Sequence, residues 1–352
     1  MSREKNYFVE DLKAGQQLSE AFVLAGARAG QARNGPFWSL TLQDNSGRIE
    51  AKMWSPNSLA YAEMPLGRVV IVEGQVQTYK DQLQVIVERL EEAAAEYPLS
   101  LFMAASPRKP EEMLREIERL CAEHLHCSVW TRLMSEVLSD EQLRPRLLRA
   151  PGAKFLHHAY EGGLLEHTLN VARLCMAFCD HYSELDREIL LTAAILHDIG
   201  KVWELLGGLS NDYTDEGRLL GHIFLGLDFL EPHFKSVAMP EALLLHLRHI
   251  ILSHHGEYAY GSPKRPKTVE ALALHYADNL DAKLHQFQSA FSGTREEDEA
   301  GVWSPFQKNL ERYLYKPVGT PRSGEHASGC SAKKEGDGNN EEQGQGSLLP
   351  GI

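Results

Sequence analysis

The sequence is poor in cysteine. Five cysteines stand in 352 residues, an odd number with no paired Cys-x-x-Cys spacing. That excludes a disulfide framework and a cysteine zinc site. Long apolar runs are missing too: no stretch approaches the ~20 residues that a membrane-spanning helix needs. The first residues, Met1-Ser2-Arg3-Glu4-Lys5-Asn6, are charged and lack a following apolar segment, so no signal peptide is expected. A cytoplasmic location is the resulting expectation. Basic charge is short as well: 36 Lys+Arg stand against 49 Asp+Glu, a formal net charge of −13. Such a surface does not bind nucleic acid indiscriminately. Nucleic acid held in a groove, or at bound metal ions, remains compatible with it. Finally, the first 123 residues contain no histidine, and all 16 lie at or after His124. Histidine is a frequent metal ligand and acid–base group. The asymmetry places any chemistry in the second part of the chain.

What is present falls into two blocks, as the length suggests at roughly 100–200 residues per domain. A 43% apolar content is enough for real cores. Residues 7–92 read as β-rich. Strands are expected at 17–28, 37–43, 48–54, 68–79 and 82–88, with a short helix over 57–64. The turn Asp44-Asn45-Ser46-Gly47 ends the second strand, and Lys80-Asp81 separates the last two. Three strands, a short helix and two more strands match the order of a five-stranded OB barrel. Another small barrel, or a sandwich, stays open. Residues 93–110 form a linker with Pro98, Pro107 and Pro110. Residues 111–316 read as helical, with helices at 164–178, 189–199, 219–230, 242–253 and 269–287. Residues 317–352 are rich in Gly, Ser, Glu and Lys and read as a disordered tail. The expected class is therefore multidomain α+β, a small barrel followed by an all-α domain. Residues 93–316 hold 32 Asp+Glu against 23 Lys+Arg, so −9 of the charge belongs to the helical block.

Separate helical segments each bring a candidate metal ligand: His167, the pair His197-Asp198, His222, the pair His254-His255, and Asp278. An apolar helix ending in His197-Asp198 puts a carboxylate beside buried surface, which is costly without a partner. A divalent cation satisfies several such groups at once. Mixed His and Asp ligands suit Mn²⁺, Fe, Co²⁺, Ni²⁺ or Zn²⁺ better than Ca²⁺. Gly200 is expected to let the chain turn sharply after the pair. Lys201 is placed to meet a phosphate or a developing negative charge. His124, His126, His181, His233, His246, His249 and His285 read as structural.

The order H…HD…D, with HDIGK intact at 197–201, looks like the HD-domain metal-dependent phosphohydrolases. Longer strings sharpen the likeness: HHAYEGGLLEHT (157–168), YTDEGRLLGHI (213–223), ILSHHGEYAYGSP (251–263) and HYADNLDAK (275–283). Behind an OB-like barrel they resemble the YhaM-type 3′→5′ exoribonucleases, over about residues 7–316. The resemblance implies that His167, His197, Asp198 and Asp278 hold a first metal. Asp198 would bridge to a second, completed by His222 and His254, with His255 either taking the place of His254 or meeting substrate. Mn²⁺ is the favoured ion, with Fe, Co²⁺, Ni²⁺, Zn²⁺ and Mg²⁺ as the others. Asp198, Lys201 and His255 are the candidate catalytic groups. Asp281 is a weaker candidate, equally readable as a helix-surface group or as a group that supports a ligand from behind. His157 and His158 precede the first ligand helix, within reach of substrate. After His254-His255 there is no Gly-Tyr-Pro signature, which separates the chain from HD-GYP relatives that act on cyclic di-GMP.

The expected activity is hydrolysis of single-stranded RNA, or single-stranded DNA, by a metal-activated water. Two other readings stand beside it: a phosphohydrolase acting on nucleotides or cyclic dinucleotides, and a non-catalytic nucleic-acid-binding scaffold. On the barrel, alternation puts Phe37, Lys52 and Trp54 outside as a base-stacking platform. That face covering the barrel's end, or docking elsewhere, is the competing use. Lys264 and Arg265, in Pro263-Lys264-Arg265-Pro266-Lys267, form the best basic patch near the predicted metals. No membrane contact is expected, and a homo-oligomer is compatible although no interface is legible.

Overall fold

Alternating apolar residues close the N-terminal part into a barrel. In the computed structural model, which describes residues 5–80, 82–94, 97–103, 106, 108–153, 160–209, 212–291 and 301–317, five strands form it. They are β1 (Gln17–Ala32), β2 (Gly35–Asp44), β3 (Gly47–Met53), β4 (Val69–Tyr79) and β5 (Gln82–Glu92). The closed order is β1-β2-β3-β5-β4, with β3 and β5 parallel and the other pairs antiparallel. Every second residue turns inward: Leu40 and Leu42 on β2, Ile49, Ala51 and Met53 on β3, and Val70, Val72 and Val76 on β4 are buried. Asp44 Oδ1 accepts from the Ser46 N–H and hydroxyl, fixing the β2–β3 turn. On β4 a Cβ at Gly74 would meet the Ile86 carbonyl oxygen at 2.0 Å, so only glycine fits where the ladder shifts register.

The helix expected at 57–64 is shorter, a 3-10 turn over Asn57–Ala60. Tyr61 leaves helical angles because its hydroxyl is tied to β5: it donates to the Leu90 carbonyl and accepts from the Leu90 N–H. After the barrel, Phe102 packs on Ala21 and Val23 outside the main barrel core, joined by Tyr97, Leu101, Val69, Ile71 and Leu209.

The helical part comprises α1 (Pro110–His124), α2 (Ser128–Leu138), α3 (Leu143–Leu147), α4 (Gly163–His181), α5 (Arg187–Leu196), α6 (Lys201–Glu204), α7 (Asp215–Ser236), α8 (Glu241–Ser253) and α9 (Val269–Ser289). Its centre is α5. Asp186 caps it by accepting from the Glu188 and Ile189 N–H groups, and every residue from Ile189 to Leu196 is buried. A helix apolar all round must be surrounded, and α1, α2, α4, α8 and α9 all pack on it. Helix α7 begins at Asp215, before the expected 219, because Thr214 caps it through the Gly217 N–H. It is interrupted at Gly221 (φ 76°, ψ 159°), and His222 opens its second half.

The helical pattern expected to run to residue 316 stops at Ser289. Residues 301–317, in a separate unit, form a hairpin of β6 (Val302–Trp303) and β7 (Tyr315–Lys316). Its aromatic pairs, Trp303–Tyr315 and Phe306–Tyr313 at 5.1 and 5.2 Å, favour strands over helix. The expected tail from 318 onward lies outside the described residues. Among the described residues no helix is long and apolar enough to cross a membrane.

Candidate metal centre

Five elements deliver their polar groups to one point. His167 comes from the second turn of α4. His197 and Asp198 follow the C-terminal end of α5, His222 follows the break in α7, His254 and His255 follow α8, and Asp278 lies mid-way along α9. His167, His197, Asp198 and His254 are buried, at 0%, 1%, 2% and 0% exposure. Helices that are apolar elsewhere have brought these groups inside, so packing has covered their desolvation cost.

Asp198 is at the middle. Its Oδ2 lies 3.5 Å from His167 Nε2 and 3.4 Å from His197 Nε2, and its Oδ1 lies 3.3 Å from His222 Nε2 and 3.6 Å from His254 Nε2. His167 Nε2 is also 3.2 Å from Asp278 Oδ1. The donors form two sets: Asp198 with His222, His254 and His255, and His167 with His197 and Asp278. Among the described residues, five inward atoms make no hydrogen bond: His197 Nε2, Asp198 Oδ1, His222 Nε2, His254 Nε2 and His255 Nδ1. Bonds of about 2.0–2.2 Å to a transition metal place neighbouring ligand atoms about 3.0–3.6 Å apart. The observed gaps have that size, so the residues present fit divalent ions.

The imidazoles are set up for ligation from behind. His197 Nδ1 donates to the Ala194 carbonyl at 2.9 Å, and His254 Nδ1 to the Ile251 carbonyl at 2.7 Å. A carbonyl only accepts, so the proton sits on Nδ1 and the Nε2 lone pair faces inward. Carboxylates do the same elsewhere. Asp281 Oδ2 is 2.7 Å from His167 Nδ1, and Glu204 Oε1 is 3.1 Å from His222 Nδ1. Glu204 Oε1 also accepts the His222 backbone N–H at 3.0 Å. Such partners fix the tautomer and raise ligand basicity.

The electrostatics follow from the crowding. Burial alone would raise the Asp198 carboxyl, but the Lys201 ammonium and His197 outweigh it and hold the group well below the usual carboxylate range. Lys201 Nζ sits 2.6 Å from Asp198 Oδ2. Burial lowers His254, and burial with the adjacent His254 and His222 pushes His255 down to about 3. Around His167 burial is opposed by Asp198, Asp278 and Asp281, and the carboxylates win, raising it well above its ordinary value. A group of carboxylates that favours positive charge this strongly favours a divalent cation too.

All the predicted ligands therefore converge, and both members of the His254-His255 pair belong to the cluster. Asp281 is the backing group of His167. Glu204 and His275 were not foreseen. Glu204 has no spacing signal, since it acts from the one-turn helix α6. His275 lies one turn before Asp278, which could have placed it on the same face; its Nδ1 donates to the His254 carbonyl at 2.9 Å. Gly200 has ordinary helical angles (φ −66°, ψ −16°), so the sharp turn expected there is not what requires it. A Cβ on Gly200 would meet the His222 carbonyl oxygen at 1.9 Å. Glycine lets the backbone before α6 touch α7 and seats His222 against Asp198.

A cavity of about 310 Å³ adjoins the cluster, lined by Asp198, Lys201, His222, His255 and Asp278 among others. Of the other predicted contacts, His158 lies outside the described residues together with His157. Arg265 is ion-paired with Glu257 at 2.5 Å and sits 6.0 Å from the Tyr258 ring, so part of the basic patch with Lys264 is neutralised. On the barrel, the Phe37 and Trp54 rings are 4.9 Å apart, and Lys52 Nζ lies 5.2 Å from Phe37 and donates to Ser39 Oγ at 2.6 Å. Gly30, opposite Phe37 on β1, leaves room for that ring to lie across the strand; a Cβ there would meet it at 2.4 Å.

Sequence comparison agrees with this architecture. The HD domain family matches residues 164–283, and the OB-fold nucleic acid binding domain family matches residues 25–93. The chain joins an OB-fold domain to an HD domain. The OB domain is similar to the second OB-fold domain of replication protein A from Methanococcus maripaludis, at 19% identity over 26% of this chain and 99% of that one (TM-score 0.22). A second structure of a domain of that protein is 24% identical over 25% of this chain and 93% of that one (TM-score 0.22). The HD domain is similar to that of the L. monocytogenes phosphodiesterase PgpH, at 22% identity over 41% of this chain and 74% of that one (TM-score 0.27).

Proposed function

We propose that this protein is a metal-dependent 3′→5′ exonuclease that shortens single-stranded RNA, and single-stranded DNA as a second substrate. One observation carries the reading. Asp198 lies between two sets of inward-facing donors, in a chain that also holds an OB domain. OB barrels hold single strands with little regard to sequence. HD domains are metal-dependent phosphohydrolases, so the two domains together fit a phosphodiester substrate that is a strand.

His167, His197 and Asp278 would hold one ion on the Oδ2 side of Asp198. His222, His254 and His255 would hold the other on the Oδ1 side. The mixed imidazole and carboxylate set suits Mn²⁺, the ion we favour, as well as Fe, Co²⁺, Ni²⁺ and Zn²⁺, with Mg²⁺ as a further competitor. Bound ions supply Lewis acidity toward phosphoryl oxygens and lower the pKa of water. The chain does the rest. Lys201 keeps Asp198 ionised and offers an ammonium at the cavity to a substrate phosphate. His255, neutral down to about pH 3, is suited to ligation rather than to donating a proton. No Ser or Cys nucleophile is required.

A 5′-labelled single-stranded oligonucleotide tests the reading. Incubated with Mn²⁺, it should shorten stepwise from its 3′ end, and a chelator should stop the reaction. Cleavage confined to mononucleotides or cyclic dinucleotides would assign the site to the alternative phosphohydrolase activity.

A further inference from the structure

The metal cluster uses only part of the cavity beside it. The same cavity is lined by Tyr213, Tyr260, His275, Asn279 and Leu205. At about 310 Å³ it sits at the small end of ligand pockets, which span about 300–1,000 Å³. That is room for one nucleotide unit.

Tyr260 is the unusual member. Its side chain is exposed, at 64%, yet its backbone is held firmly. It closes a 3-10 turn, Tyr258–Tyr260, five residues after the ligand His255. The Tyr260 N–H donates to the Glu257 carbonyl and the Gly261 N–H to the Tyr258 carbonyl, both at 3.0 Å. Gly261 then takes φ +82°, and the buried Ser262 anchors the turn by donating to the Leu252 and Lys264 carbonyls. Among the described residues Tyr260 pairs with no other ring and its hydroxyl makes no hydrogen bond. An apolar ring presented to water on a rigid turn costs solvation and gains nothing from packing. A π-face beside a phosphodiester site gains from a nucleobase, which stacks on it whatever its identity.

We propose that this cavity takes the 3′-terminal nucleotide of the strand and that Tyr260 stacks on its base, holding the scissile phosphate at the Asp198 cluster. The inference rests on the exonuclease reading. It makes the enzyme tolerant of sequence but sensitive to the presence of a terminal base, and it makes one nucleotide the unit of release.

The test uses the full-length protein with Mn²⁺ and two labelled oligoribonucleotides, one ordinary and one with an abasic 3′-terminal residue. The wild-type KM should be about tenfold higher for the abasic end, from the loss of one base stack. Tyr260→Ala should raise KM for the ordinary end by a similar factor, with kcat changing far less, and should lose nothing further on the abasic end. Tyr260→Phe should stay within about twofold of wild type, because the ring and not the hydroxyl makes the stack. Equal wild-type KM values for the two ends would overturn the proposal without reference to any variant. So would a Tyr260→Ala defect that is the same on both substrates. If the wild-type protein shortens neither strand, the exonuclease reading itself fails, which is a different result from either of these.

Discussion

At the residue scale, the site is made by what lies behind the ligands. Imidazole has two equivalent-looking nitrogens, and only the group hydrogen-bonded to Nδ1 decides which lone pair faces inward. Backbone carbonyls do this for His197 and His254; Asp281 and Glu204 do it for His167 and His222. Asp281→Asn and Glu204→Gln should therefore fold normally and bind Mn²⁺ about 10–100-fold more weakly. Isothermal titration of each variant against wild type checks this, and unchanged affinity would mean that neither carboxylate tunes its histidine. The candidate ligands were legible as a set because His197-Asp198, His167, His222, His254 and Asp278 each interrupt or end an apolar run. Their backing groups were less so. Glu204 looks like any helix-surface carboxylate until folding brings α6 against α7, and Asp281, one turn past Asp278 on the same helix face, was readable only as one of several alternatives.

At the element scale, the fold depends on close approaches between short pieces of backbone. The HDIGK segment shows it best. Gly200 has helical angles, so its need for glycine comes entirely from the His222 carbonyl, 1.9 Å from where a Cβ would sit. That neighbour is backbone and cannot swing aside. Gly200→Ala should destabilise the protein by about 1–3 kcal/mol and shift His222 away from Asp198. Thermal unfolding would register the first effect and weakened Mn²⁺ binding the second; an alanine variant with wild-type melting and affinity would remove this role from Gly200. Regular elements were readable where one period dominates: β3 alternates strictly, and α5 is continuously apolar. Elements fixed by distant partners were not. Tyr61 ends its 3-10 turn through Leu90, 29 residues away, and the 301–317 hairpin depends on aromatic pairs between residues well apart in sequence, which leave no periodic pattern.

At the scale of the whole molecule, the proposed function divides the work between two domains, strand binding in the barrel and chemistry in the helical part. The net charge of −13 at first argues against a polyanionic substrate, but −9 of it belongs to residues 93–316, which contain Asp198, Asp278 and Asp281. Divalent ions held there would offset that charge where a substrate phosphate would approach. The barrel contributes Trp54, 41% exposed beside Phe37 and Lys52. Trp54→Ala should weaken binding of a single-stranded oligoribonucleotide by about 1–3 kcal/mol, roughly 5- to 150-fold, and leave Mn²⁺ binding as it is. Fluorescence anisotropy with a chelator present measures the strand alone; undiminished binding would move the contact to another face of the barrel. The central claim is that Asp198 joins two metal positions, and a metal titration tests it most directly. Chelator-treated wild-type protein should take up two equivalents of Mn²⁺ per chain and recover hydrolysis with them, while Asp198→Ala should retain neither. Two equivalents bound by the Asp198→Ala protein, or full activity from it, would contradict the account.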